Sequence, residues 1–180
     1  MNWIKGSKSW FKPIECVHPK KGLYHVNIVP RPYTPSEKED ENLDIEYKQL
    51  ELDHQPTTQE LQDLILAAQE EYDSSSEVNG FSLNGNVVWL DKATRVGLVN
   101  SLGVQKENGI TETTLWLNGT SVTVSIEGAL QALKALELYA IACYNNTQEH
   151  IAEIKALKNA EDFYNYDVTK GYPEQLSINL

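Results

Sequence analysis

Apolar and polar side chains alternate in two short segments near the N-terminus. Over Gly22–Val29, every second residue is large and apolar, which predicts a strand. The same alternation recurs over Leu43–Leu52, but its register slips at Gln49, so we predict a bulge or two short strands there. The five prolines of Pro13–Pro35 exclude a long helix. We therefore interpret this part of the chain as an extended arm.

A helix is predicted directly after Pro56. Thr57 can cap the amide of Glu60, while the Glu60 side chain can reach back to the amide of Thr57. The apolar residues that follow recur at helical spacing on one face. The helix should end at the polar run Asp73–Ser76, whose short side chains compete for backbone hydrogen bonds. We interpret residues 56–76 as a linker helix and a hinge.

Two tight turns separate alternating runs in the C-terminal half of the chain. They lie at Asn84–Asn86 and at Asn118–Gly119, where Asn-Gly supplies the positive φ angles of a hairpin turn. Two β-hairpins are therefore predicted. Between them, Asp91 can cap a helix that runs from Lys92 to about Leu102 and that Gly103 should end.

A long helix is predicted after the second hairpin. Apolar residues recur at intervals of three and four over Ala129–Leu157, and at 1.5 Å per residue this helix would be about 50 Å long. A domain of about a hundred residues is narrower than that. The helix should therefore either break near Asn145–Asn146 or project and pair with another helix. The second alternative predicts a homo-oligomer, a dimer or a trimer, whose seam is formed by Leu133, Leu136 and Ala140.

Together these elements predict an α+β fold. Residues 1–55 form an extended arm with short strands, residues 56–76 the linker helix and hinge, and residues 77–180 an α+β domain in which two hairpins pack with helices. A short helix near Phe163 and an extended tail complete that domain.

Three aromatic side chains stand out in the predicted arm. Trp3, Trp10 and Phe11 either dock onto a partner or cover the core of their own chain. The sequence leaves both alternatives open.

Charge narrows the range of partners. The chain has 180 residues, with 15 Lys and Arg against 26 Asp and Glu, so its formal net charge is −11. Such an acidic surface repels phosphate backbones and anionic lipid headgroups, so we expect neither a nucleic acid nor a membrane as partner. The two cysteines cannot build a disulfide framework, which fits a reducing cytoplasm.

The candidate chemistry is sparse, so we predict no enzyme, no catalytic residue, no cofactor and no metal. The four histidines are scattered and lack the paired spacing of a zinc site. Asp91 and Arg95 lie four residues apart at a helix start, which favours a structural cap and an ion pair over an active acid. Trp89 and Trp116 could stack a sugar or a base, but we expect them to pack beneath the helices.

Three motifs give the C-terminal part a family resemblance: Phe81-Ser-Leu-Asn-Gly-Asn86, Trp89-Leu-Asp-Lys-Ala-Thr-Arg-Val-Gly-Leu98 and Tyr166-Asp-Val-Thr-Lys-Gly-Tyr-Pro173. In this order they resemble a C-terminal domain of unknown function found in tailed-bacteriophage structural and tail-fibre-related proteins, including those of Bacteroides and crAss-like phages. The resemblance implies a virion component that docks onto other virion proteins. It brings no active-site residues, because the family has no established activity.

The resulting expectation is a structural component of a bacteriophage virion. It would be a head-fibre or tail-fibre docking subunit, assembled in the host bacterial cytoplasm and acting through protein–protein contacts. The alternative is a tail-fibre assembly chaperone that is absent from the mature particle. An enzyme acting on host glycan through Trp89 and Trp116 would need paired acids in the same cleft, and the sequence places no convincing pair there.

Overall fold

The computed structural model describes residues 2–117 and 119–179. Within them it contains nine strands and four α-helices, which confirms the predicted α+β class. The elements follow in the order β1 (Asn2–Gly6), β2 (Ile14–His18), β3 (Leu23–Pro32), β4 (Ile45–Leu52), α1 (Thr58–Asp73), β5 (Phe81–Leu83), β6 (Asn86–Val88), α2 (Lys92–Glu107), β7 (Glu112–Leu117), β8 (Thr120–Ser125), α3 (Ile126–Ala156), α4 (Ala160–Tyr164) and β9 (Ser177–Ile178).

The chain divides into two compact units. The first unit comprises Met1–Glu70 with Glu149–Lys170, and the second comprises Glu71–Gln148 with Gly171–Leu180. This division differs from the predicted one, which placed residues 149–170 with the C-terminal domain and set the N-terminal residues apart. The physical reason is that compact units form through contacts distant in sequence, such as the bond from the Gln62 side chain to the Ile154 carbonyl at 3.1 Å. Local sequence patterns do not record such contacts.

The first unit is built on an antiparallel sheet with the strand order β1-β4-β3-β2. Val26 and Ile28 of β3 and Ile45 of β4 are buried, as are Leu61 and Ile65 of α1. The predicted extended arm is therefore a folded sheet with its own buried side chains. The alternation over residues 22–29 was correctly interpreted as a strand, but its apolar face is covered within the chain.

The irregularity in this sheet lies in β3 rather than at Gln49. Asn27 pairs with Gln49, and Ile28 pairs with Lys48. The next pair is Arg31 with Glu46, so β3 advances by three residues where β4 advances by two. The extra residue is Val29, whose φ is 53°, so β3 carries the bulge. The predicted slip at Gln49 is thus wrong in position, because a bulge in one strand displaces the pattern of its partner.

The second unit contains both predicted hairpins. β5 pairs with β6 across a turn in which Asn84 has a φ of 49° and Gly85 a φ of 81°, as a tight turn of this type requires. β9 adds to β5 in parallel. β7 pairs with β8 as a two-stranded ribbon; the predicted first turn residue, Asn118, lies outside the described residues.

The two long helices of the C-terminal half run further than their local signals indicated. α2 continues through Gly103 to Glu107, and Gly109, with a φ of 76°, follows its end. A glycine costs a helix interior only about 1 kcal/mol, so Gly103 did not terminate it as predicted. α3 is continuous through Asn145–Asn146, which removes the alternative of a break there.

Residues of the second unit form two apolar clusters. One gathers side chains of β5, β6 and α3 around Phe81, Leu136 and Tyr139. The other joins Leu102 of α2 to Val124 and Leu133. The buried face of α3 between residues 129 and 143 is therefore used inside this unit.

Candidate docking surfaces

Across the described part of the chain, no group of three or more His, Cys, Asp or Glu side chains is placed to hold a metal ion. None of the described helices is both long enough and apolar enough to cross a bilayer.

Asp91 and Arg95 take different partners. Asp91 caps α2, because its Oδ1 accepts the Thr94 amide at 2.9 Å and its Oδ2 accepts the Thr94 hydroxyl at 2.7 Å. These bonds, that of the hydroxyl first, lower the pKa of Asp91. The predicted cap is confirmed, but the predicted ion pair is wrong: Arg95 Nε lies 2.8 Å from Glu137 Oε2, and its Nη1 donates to the Leu90 carbonyl at 2.7 Å. The Arg95 side chain extends to α3, so its guanidinium pairs with the Glu137 carboxylate there and not with the Asp91 carboxylate at the start of α2.

His150 is buried in the first unit and was missed by the sequence analysis. Its Nδ1 lies 2.6 Å from the Tyr166 hydroxyl, and its Nε2 lies 2.7 Å from the Lys170 carbonyl. A carbonyl only accepts, so Nε2 carries a proton. The Tyr166 hydroxyl also contacts Glu153 Oε2 at 2.8 Å. The cluster fastens residues 166–170 to the last turns of α3, a structural role that a lone histidine in a sequence does not reveal.

His54 forms an exposed cluster next to the start of α1. Its Nδ1 lies 2.8 Å from Asp53 Oδ1, and its Nε2 lies 2.7 Å from Glu60 Oε1. The hydrogen bond to Asp53, followed by that to Glu60, raises the pKa of His54. Glu60 is also the acid of the predicted capping box, because its Oε2 accepts the Thr57 amide at 2.8 Å. That bond is the main reason why the pKa of Glu60 is lowered to about 2.

The three N-terminal aromatic residues are divided between surface and interior. Trp10 is 57% exposed. Trp3 is partly exposed on β1, with the Arg31 guanidinium carbon 4.0 Å from its ring centre. Phe11 instead packs edge-on against Tyr47, with ring centres 5.1 Å apart. Trp10 and Trp3 are therefore accessible for docking, whereas Phe11 serves its own unit.

The predicted oligomer seam is not accessible along most of its length. Leu133 and Leu136 are buried in the apolar clusters of the second unit, and Ala140 is half-buried. The prediction that these residues form an oligomer seam is therefore wrong. It assumed that one domain could not cover a helix this long, but segments from distant parts of the same chain pack on α3.

Apolar side chains that do face solvent are concentrated in the second unit. On α3 they are Leu138, Ile141 and Tyr144, and on α2 they include Val96 and Val99. Proteins rarely leave neighbouring large apolar side chains in water unless the surface binds something. These two helix faces therefore qualify as docking surfaces.

Trp116 on β7 is the most exposed large apolar residue among those described, at 72%. Its predicted packing beneath the helices is therefore wrong. Trp89, in contrast, is partly buried against the cluster around Phe81, with the Arg95 guanidinium carbon 5.4 Å from its ring centre. A stacking role shared by these two tryptophans is not supported by such different environments.

The second unit also contains an apolar cavity of about 30 Å³. Its walls include Leu98, Leu115, Leu133 and Leu136. No polar surface lines it, so it offers nothing to orient a polar ligand. We treat it as a packing defect between the two apolar clusters.

Comparisons with family models, with curated proteins and with solved structures gave no significant match. The resemblance to the phage domain therefore stays a prediction.

Proposed function

We propose that the protein is a structural component of a bacteriophage virion, a head-fibre or tail-fibre docking subunit that acts through protein–protein contacts. One observation carries the docking part: large apolar side chains, with Trp116 at 72% and Trp10 at 57%, are exposed. Tryptophan is among the residues that contribute most to the stability of protein interfaces. Covering an exposed tryptophan with a partner removes its apolar surface from water, which lowers the free energy of the complex.

The polar clusters support the same proposal because their groups are used inside the chain. Arg95 pairs with Glu137 and donates to the Leu90 carbonyl, and His150 donates to the Lys170 carbonyl. The Arg95–Glu137 pair joins α2 to α3, the two helices whose outer faces carry exposed apolar side chains. The virion part of the proposal comes from the motifs at residues 81–86, 89–98 and 166–173, which resemble the phage domain.

Mass spectrometry of purified phage particles tests the virion assignment. Particles from a phage that encodes this chain should contain it in a fixed ratio to the other structural proteins. If the chain occurs in infected-cell lysates but not in particles, the alternative of a tail-fibre assembly chaperone replaces the proposal. If it occurs in neither fraction while the phage forms normally, both assignments fail.

The docking surfaces are tested with substitutions that should leave the fold intact. Trp10→Ser and Trp116→Ser remove exposed side chains, so each variant should fold with unchanged circular dichroism. If these residues are interface anchors, incorporation into particles should fall at least about tenfold. Gln131→Ser, at another exposed position, is the matched control and should be incorporated normally. Normal incorporation of both tryptophan variants would contradict docking through these residues.

A further inference from the structure

α2 of the second unit presents an unusual outer face. At 3.6 residues per turn, Lys92, Val96, Val99, Gly103 and Glu107 share one side of this helix. Val96 and Val99 are exposed, as are Lys92 and Glu107. The centre of the face is thus apolar, while its two ends carry opposite charges.

The charges on this face are complementary to those of a second copy. Two other cations of α2 already have partners: Arg95 pairs with Glu137, and Lys106 Nζ lies 2.6 Å from Glu127 Oε2. Lys92 and Glu107 have no ion-pair partner among the described residues. One unused cation at the start of a helix and one unused anion at its end suit an antiparallel copy of the same helix.

We propose that the protein forms a two-fold symmetric dimer in which α2 packs antiparallel against α2 of a second copy. With the axis between Val99 and Asn100, Lys92 faces the other copy's Glu107, and Val96 faces its Gly103. A parallel arrangement would instead bring Lys92 against Lys92 and Glu107 against Glu107, and like charges repel. The charge pattern therefore selects both the partner and its direction.

Gly103 fits this arrangement for a second reason. Apart from its chain neighbours and the nearby backbone of α2, a Cβ placed on Gly103 would meet no described atom within 4 Å, and its backbone is helical. The fold therefore does not require glycine here, although glycine costs a helix interior about 1 kcal/mol relative to alanine. In the antiparallel pair, the missing side chain leaves room for Val96 of the other copy, and two-fold symmetry provides this contact twice.

The dimer should be weak. Two helices of 16 residues in contact bury less than the roughly 800 Å² per partner of a standard interface. We expect a dissociation constant on the order of micromolar rather than nanomolar. The contact lies between copies of the chain and does not depend on the virion assignment.

The test is sedimentation of the full chain over a range from about 1 to 200 µM. The weight-average mass should rise with concentration from the 20.3 kDa of one chain towards twice that value. Gly103→Leu should keep the mass at that of one chain, since leucine adds bulk only where the second copy lies. Circular dichroism should show that the variant is folded, because leucine favours a helix more than glycine does.

A charge exchange tests the antiparallel direction. Lys92→Glu and Glu107→Lys should each weaken the dimer about three- to tenfold, because each places like charges opposite one another. The double variant should restore the dimer, because it exchanges the signs and keeps the complementarity. The new charges also suit the helix dipole, so loss of folding is not expected.

Val87→Glu, at an exposed apolar position of β6, is the matched control and should dimerise like the original chain. A single-chain mass at all concentrations would overturn the proposal. So would a dimer that persists in Gly103→Leu, or one that Val87→Glu abolishes. Failure of the double charge variant to restore association would exclude the antiparallel pairing. None of these results alters the particle experiment, so the two proposals can fail separately.

Discussion

Leu136 and Leu138 lie two residues apart on α3, yet their environments are nearly opposite. Leu136 is 1% exposed, while Leu138 is 64% exposed. Replacing Leu136 with alanine removes apolar groups worth about 2 kcal/mol in transfer free energy. Leu136 also lines the cavity of about 30 Å³, so the space that it vacates adds to an existing void. We therefore expect Leu136→Ala to lower the free energy of unfolding by about 3–4 kcal/mol.

Urea unfolding of the full chain, followed by circular dichroism, measures this loss. The transition midpoint should fall while its slope is kept, and the melting temperature should fall by roughly 10 °C. Leu138→Ala, the matched control, should change the stability by less than about 0.5 kcal/mol. If the two variants lose the same small amount of stability and Leu136→Ala also reduces the sedimentation mass, Leu136 belongs to an oligomer seam and the packing argument is refuted.

Two further predictions concern polar contacts. Hydrogen bonds to Asp53 and Glu60 raise the pKa of His54. The contribution of protonated His54 to stability is therefore present at pH values below about 6.5 and is lost as the pH rises through the raised pKa. Asp53→Asn should lower that pKa in an NMR titration, and an unchanged value would contradict the hydrogen-bond assignment. Glu137→Gln should cost about 1 kcal/mol because the Arg95 side chain it pairs with is only 8% exposed, whereas Glu127→Gln, between exposed partners, should cost less than about 0.5 kcal/mol in urea unfolding. Equal losses in these two variants would contradict the burial argument.

Features specified by neighbouring residues were predictable from the sequence. The capping box of Thr57 and Glu60, the turn at Asn84–Asn86 and the cap at Asp91 each depend on side chains within four residues of one another. Short-range hydrogen bonds and positive φ angles favour particular residue types, so they can be recognised in the sequence. These elements accordingly formed where their signals lie.

The covering of apolar faces was harder to predict, because it depends on contacts distant in sequence. Residues 126–148 of α3 belong to the second unit, and residues 149–156 belong to the first. Leu133 and Leu136 are covered by the clusters of the second unit, and Ile154 is fully buried in the first. A periodic apolar stripe shows that a helix face is covered, but it does not show whether the same chain or a second copy covers it.

The exposure of Trp116 was only partly predictable from the sequence. Alternation along β7 places Trp116 on the same face as Thr114 and opposite Leu115, but β7 alone does not show whether a helix covers that face. The partner strand resolves the question: Trp116 pairs with Ser121, whereas Leu115 pairs with Val122. Directly paired residues lie on the same face of a ribbon, so Trp116 shares its face with serine and threonine. A large aromatic side chain on the polar face of a two-stranded ribbon gains little from its own chain, which is why we propose that a partner covers it.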